Sequence, residues 1–209
     1  TRNTPLYGMF KDQGAIYGDT FGWERAKWFA PQGVAEQYGF RRSNWFATVG
    51  EECRAVREKV GLMDLSSFAK YEITGLHAKT LLDRLCANRI PETNGKIILT
   101  QMLTHLGGIE CEATVARLSA EHYYILSGAV AELHDFDWLV QHIEPGKEAH
   151  VANVTDDIGV LVLTGPNARD VLSQLTQDGL TNHDGFTWMT ARDITVADVP
   201  VRALRLSYA

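Results

Sequence analysis

Thirteen residues, Ile73-Thr74-Gly75-Leu76-His77-Ala78-Lys79-Thr80-Leu81-Leu82-Asp83-Arg84-Leu85, recur in pattern as Leu163-Thr164-Gly165-Pro166-Asn167-Ala168-Arg169-Asp170-Val171-Leu172-Ser173-Gln174-Leu175, at a fixed offset of 90. Each copy reads as strand, glycine turn and amphipathic helix, and each runs on into a hairpin. A repeated unit of this kind buries one sheet face under its helices. The fold expected is therefore α+β, tandem ferredoxin-like βαββαβ units with antiparallel sheets. Subtracting 90 from Ala209 gives position 119, so the second copy stops after its hairpin. A truncated second unit is expected, and with it a fragment of a longer chain, as the first residue, Thr1, also suggests.

Three segments follow. Residues 1–48 hold eleven of the twenty aromatic residues, among them Trp23, Trp28, Phe29, Trp45 and Phe46, with no sustained helical period. They read as an irregular arm clamped by its rings, and the Gly14, Gly18 and Gly22 spacing lacks the strand and helix of a phosphate loop. Residues 49–155 form the first unit. A helix with Glu52, Cys53, Val56, Val60 and Met63 at three- and four-residue spacing is expected first, capped by Gly61. Then come a strand over 68–74, a helix over 76–87, a hairpin over 97–118, a strand over 122–127, a helix over 130–142 and a strand over 150–154. Residues 156–209 are the incomplete second repeat, with a hairpin over about 192–208 turning near 196–199.

Several functions are disfavoured by composition. A net charge of −6 offers no basic stripe for nucleic acid. No apolar run approaches a membrane span, and no signal-peptide core opens the chain. The three cysteines, Cys53, Cys86 and Cys111, have no CxxC spacing and fit buried apolar roles in a reducing compartment. Among the seven histidines no HExxH pair occurs, so no metal site is expected. The pair His183-Asp184 reads as loop polarity, and no GxSxG elbow is present.

What remains is the hairpin around Gly107 and Gly108. On its outgoing strand Ile109, Cys111, Ala113 and Val115 share one face, and Glu110, Glu112 and Thr114 the other. A two- or four-residue loop brings Leu99, Gln101 and Leu103 onto the glutamate face; a three- or five-residue loop reverses this. Glu112 is then either a half-buried carboxylate suited to hold or relay a proton on a weakly basic ligand nitrogen, or part of a solvated face.

Three runs carry a resemblance over essentially the whole chain. They are Arg42-Ser43-Asn44-Trp45-Phe46; Ala55-Val56-Arg57, Val60-Gly61 and Asp64-Leu65-Ser66-Ser67-Phe68 with Lys70; and Gly107-Gly108 with Glu112, Thr114 and Val115. With Leu133-His134-Asp135 and Trp138, they resemble the folate-binding, aminomethyltransferase-like half of dimethylglycine and sarcosine dehydrogenases, whose relative is the T-protein of the glycine cleavage system. Residues 5–46 resemble the segment joining the FAD-dependent oxidase half to the folate half.

The resemblance implies a one-carbon transfer. A flavin half, outside this chain and carrying FAD, oxidises an N-methyl amine to an imine, and tetrahydrofolate captures the unit as 5,10-methylenetetrahydrofolate. The partners implied are thus small molecules, folate and the amine-derived imine, in bacterial cytoplasm or mitochondrial matrix. Glu112 matches the strand carboxylate beside the folate's reactive nitrogens, where many relatives have aspartate; it is the catalytic candidate. Phe68, Leu99 and Thr114 match cofactor-binding positions, Leu99 standing where many relatives have tyrosine. The family sequence continues past Tyr208 into a run whose glutamate binds the pterin. A chain without it is expected to bind folate less tightly by about 1.5–3 kcal/mol. The alternative expected from sequence is a non-catalytic module of the same fold that binds folate or a protein.

Overall fold

The computed structural model of the chain describes residues 1–180 and 185–206. In chain order its elements are β1 (Arg2–Asn3), α1 (Tyr7–Asp12), β2 (Ala15–Thr20), β3 (Trp23–Phe29), α2 (Phe46–Glu58) and β4 (Gly61–Asp64). Next come β5 (Ala69–Thr74), α3 (Ala78–Leu85), β6 (Ile97–Leu103), β7 (Ile109–Ser119), β8 (His122–Ser127), α4 (Glu132–Gln141) and β9 (His150–Asn153). The last are β10 (Leu161–Thr164), α5 (Ala168–Ser173), β11 (Thr190–Val196) and β12 (Val199–Arg205). They gather into two compact units, Thr1–Ser67 with Gly159–Val171, and Phe68–Ile158 with Leu172–Ala209. These units cut across the consecutive segments 1–48, 49–155 and 156–209.

In the first unit the aromatic stretch is a small sheet instead of an irregular arm. β3 is flanked by β1, parallel to it, and by β2, antiparallel. Trp23 and Trp28 are buried, and a bulge at Lys27 of β3, between the Trp28–Ile16 and Ala26–Tyr17 pairs, lets both face inward although they are five residues apart. Phe21 and Gly22, both at positive φ, make the two-residue turn between β2 and β3. The alternation was hidden by the bulge and by a phenylalanine in a turn position that favours asparagine. Helix α2 ends at Glu58, so Gly61 is not its cap; it opens β4, where a Cβ would meet Val56 Cγ2 at 2.5 Å. β4 pairs antiparallel with β10.

The second unit is built on a five-stranded antiparallel sheet, ordered β6-β7-β8-β5-β9. Taking β5, β7, β8 and β9 as its four strands gives the ferredoxin-like order 4-1-3-2, with β6 added outside β7. One face is dry. Ala69, Tyr71 and Ile73 of β5, Ala113 and Val115 of β7, and Tyr123 and Ile125 of β8 pack under Leu81, Leu82 and Leu85 of α3 and Leu139 of α4. Fully burying side chains of this size contributes about 1.5–3 kcal/mol each, which makes this layer the unit's core.

The repeat is visible in backbone geometry. Gly75 and Gly165 sit at φ +114° and +113°, where a Cβ would strike Glu148 O at 2.5 Å and Lys59 O at 2.6 Å respectively. Two residues on, His77 N donates to Glu148 O and Asn167 N to Lys59 O, each at 2.9 Å. Both turns need glycine for the same two reasons, φ and close approach. The β11–β12 hairpin turns through Ala197 and Asp198, as the spacing predicts. Tyr208 and the His183-Asp184 pair lie outside the described residues.

Candidate functional site

The opposite face of the five-stranded sheet carries the sequence-predicted residues. Lys70 of β5 stands beside Leu126 of β8, Leu126 beside Thr114 of β7, and Thr114 beside Leu99 of β6, in one row across the sheet. One row nearer the Gly107 turn, Glu112 faces Gln101, whose Nε2 donates to Glu112 Oε1 at 3.2 Å. Phe68, half-buried, immediately precedes β5 at this same end of the sheet. The far end of the face is closed. There Ile97, Ala116 and Tyr124 pack with Ala191 and Leu204 of the β11–β12 hairpin. Arg202 lies over the Tyr124 ring at 5.0 Å and donates to Glu72 at 3.2 Å.

Exposure changes along the row. Lys70 is fully buried and Thr114 is 7% exposed, whereas Leu99 is 40% exposed and Glu112 is an exposed side chain. Of the two readings of Glu112 the solvated face is the one observed: β7 lies next to the edge strand β6, so near the turn only Gln101 flanks the carboxylate on its outer side. A ligand that lay on this end would meet an apolar wall from Leu99 and Leu126, a hydroxyl from Thr114 and a carboxylate acceptor from Glu112.

How Glu112 comes to share a face with Leu99 depends on an irregularity. Leu103 pairs with Ile109, which leaves a five-residue connection, 104–108. Thr104 closes it, its N–H donating to Gly108 O at 2.8 Å and its Oγ1 accepting from Gly108 N at 3.0 Å. Five residues alone would turn Glu112 to the helix side. A bulge restores the register, because Met102 pairs with Cys111 and leaves Glu110 without a ladder partner. Two residues against one put Glu110 on the helix side with Cys111. The expectation that Glu110 and Glu112 share a face is thus corrected: Glu110 Oε1 lies 2.8 Å from His134 Nε2, on α4.

From there a polar chain runs into the core. His134 Nδ1 lies 3.1 Å from Asp135 Oδ1, and Ser127 Oγ donates to Asp135 Oδ2 at 2.6 Å. Asp135 and Ser127 are both buried. The hydrogen bond to Asp135, with the two nearby negative charges, raises the His134 pKa above the ordinary histidine value. Burial pushes the Cys111 and Cys86 thiols up to about 12. Sequence reasoning singled out His134 and Asp135 only through the resemblance. Their adjacency at a helix start just after a strand ending in Ser127 was the signal available.

No group of three or more metal-ligating side chains occurs among the described residues, and no described helix is long and apolar enough to cross a membrane.

Comparison with known proteins bears on this geometry. Residues 6–209 match the family described as the GCVT N-terminal domain. The chain is 40% identical to mitochondrial dimethylglycine dehydrogenase from Rattus norvegicus, over 99% of the chain and 24% of that protein. It is 32% identical to the mitochondrial pyruvate dehydrogenase phosphatase regulatory subunit from Mus musculus, over 93% of the chain and 23% of that protein. The chain therefore spans about a quarter of the length of these curated relatives. The crystal structure of the glycine cleavage system aminomethyltransferase T from Bartonella henselae superposes with a TM-score of 0.74 at 21% identity, covering 99% of this chain and 50% of that one, which shows a shared fold. An antiparallel ferredoxin-like sheet, a glycine repeat and a whole-length family match agree, and the chain belongs to the GCVT N-terminal domain family.

Proposed function

We propose that this chain is the tetrahydrofolate-binding portion of a flavin-linked N-methyl amine dehydrogenase of the dimethylglycine and sarcosine type, and that the open end of the five-stranded sheet receives the folate. The single observation that carries the reading is the shared face of Glu112, Gln101, Thr114 and Leu99. It sets one acceptor, held by one amide, beside an apolar wall.

Bound tetrahydrofolate supplies the amine nitrogens that capture a one-carbon unit as 5,10-methylenetetrahydrofolate. Glu112 accepts or relays the proton of an attacking nitrogen, and Gln101 restricts where its carboxylate sits. Leu99 and Thr114 orient the ring system, and Phe68 borders it. FAD belongs to a flavin half that this chain does not contain, so the amine is selected elsewhere. The setting is the mitochondrial matrix or a bacterial cytoplasm; the two relatives named above are mitochondrial, and the free cysteines accord with a reducing compartment.

Calorimetric titration of tetrahydrofolate into this chain tests the reading. One-to-one binding that weakens about tenfold in Glu112→Gln, corresponding to one charge-assisted hydrogen bond, and loses its pH-dependent proton exchange is the expected result. A folded chain that binds no folate overturns it. That result favours the non-catalytic module, a reading supported by the similarity to a regulatory subunit.

A further inference from the structure

The histidine on α4 has both ring nitrogens on carboxylate oxygens, Nδ1 with Asp135 at 3.1 Å and Nε2 with Glu110 at 2.8 Å. A neutral imidazole carries one N–H and donates one hydrogen bond. It serves one of these carboxylates and turns a lone pair toward the other. Only the imidazolium donates to both. The Asp135 end is anchored independently, because its second oxygen accepts from Ser127 and the side chain is buried. The Glu110 end is not: Glu110 is the residue that the ladder leaves unpaired.

That unpaired residue sets the register of the candidate site. Without the bulge, the five-residue connection would rotate every later side chain of β7 to the other face, Glu112 included. We propose that His134, as an imidazolium shared between Glu110 and Asp135, is the positioning residue that clips the bulge of β7 to α4 and so holds Glu112 on the open face. The clip couples proton uptake at His134 to the order of the hairpin, and its effect on folate binding rests on the reading given above.

The groups that face this cluster are Glu110 and Cys111 from β7, Tyr71 from β5, Ser127 from β8, and Glu132 and Asp135 from α4 itself. Burial pushes Cys111 and Tyr71 upward, so both are neutral at the pH where His134 changes charge. His134 is therefore the group that switches. Because its folded-state pKa is raised above 6.5, the clip is fully present below that value and is lost as pH rises through the raised one.

The test combines two readouts on the full chain. The His134 ring is titrated by NMR from about pH 5.5 to about pH 8.5. Over the same range amide protection is measured at residues 104–111, with intrinsic exchange rates divided out. The expected result is a His134 midpoint above 6.5 that Glu110→Gln lowers. Hairpin protection should fall about fivefold as pH rises through that midpoint. His134→Gln should show low, pH-independent protection, and Leu133→Ala, a change at an exposed neighbour, should keep the wild-type profile. A midpoint at or below 6.5, unmoved by Glu110→Gln, overturns the clip, and so does protection that ignores pH in the wild-type chain. Tetrahydrofolate titrated into the same samples separates the two readings: hairpin protection that follows pH in a chain that binds no folate supports the clip and removes the folate reading alone.

Discussion

The two faces of the five-stranded sheet come from the same strands, residue by residue, yet obey different rules. On β7, Cys111 packs under α4 with a thiol pushed up to about 12, while its neighbour Glu112 is exposed on the other face. On β5, Tyr71 and Ile73 are buried in the helix layer, whereas Lys70 and Glu72, which alternate with them, are a buried lysine and a glutamate tied to Arg202. The helix face is mostly packed apolar volume, interrupted by the chain from Glu110 through His134 and Asp135 to Ser127, and its apolar residues could be exchanged for others of similar size. The opposite face is chosen residue by residue. The polar groups at its open end, Glu112 and Gln101, are the ones that the proposed folate site uses.

Three measurements can break or sharpen that contrast. The largest expected effect is chemical. A thiol moved from the ordinary 9.0 to about 12 has a thiolate population about a thousandfold smaller at neutral pH, so Cys86 and Cys111 should resist alkylation in the native chain while Cys53, exposed against the expectation of a buried role, is labelled. Rapid labelling of Cys111 would show that the helix face opens. Next is core truncation: Ile125→Ala, at a fully buried side chain, should cost about 2–5 kcal/mol in urea unfolding. A cost near zero would mean that this face is not the core. The smallest effect on stability belongs to the open face. Gln101→Ala should change unfolding by no more than about 0.5 kcal/mol, because the residue is half-exposed. It should still weaken tetrahydrofolate binding several-fold by freeing the Glu112 carboxylate. Equal effects of Ile125→Ala and Gln101→Ala on both stability and binding would erase the distinction between the faces.

Two hairpins show why part of this was legible in the sequence and part was not. The Ala197-Asp198 turn was found from spacing alone, because Val196 pairs with Val199 in an unbroken ladder. The Gly107 hairpin was found as well, but the face of Glu110 was not. Parity arguments assume an unbroken ladder, and the bulge adds a residue that no composition signals. The aromatic stretch at the N-terminus failed for the same reason, since a bulge at Lys27 broke the alternation of β3 that marks a strand.

By itself the sequence determined the repeat with its two glycine turns and the strand and helix order of the second unit. Each of these follows from local φ, ψ or periodicity, which a chain carries wherever it folds. Only the tertiary structure decided which carboxylate reaches the open face and which is held by His134. That outcome rests on a one-residue register shift, stabilised by contacts between residues 110, 134, 135 and 127, and side chains that distant in the chain meet only after the sheet and its helix have packed.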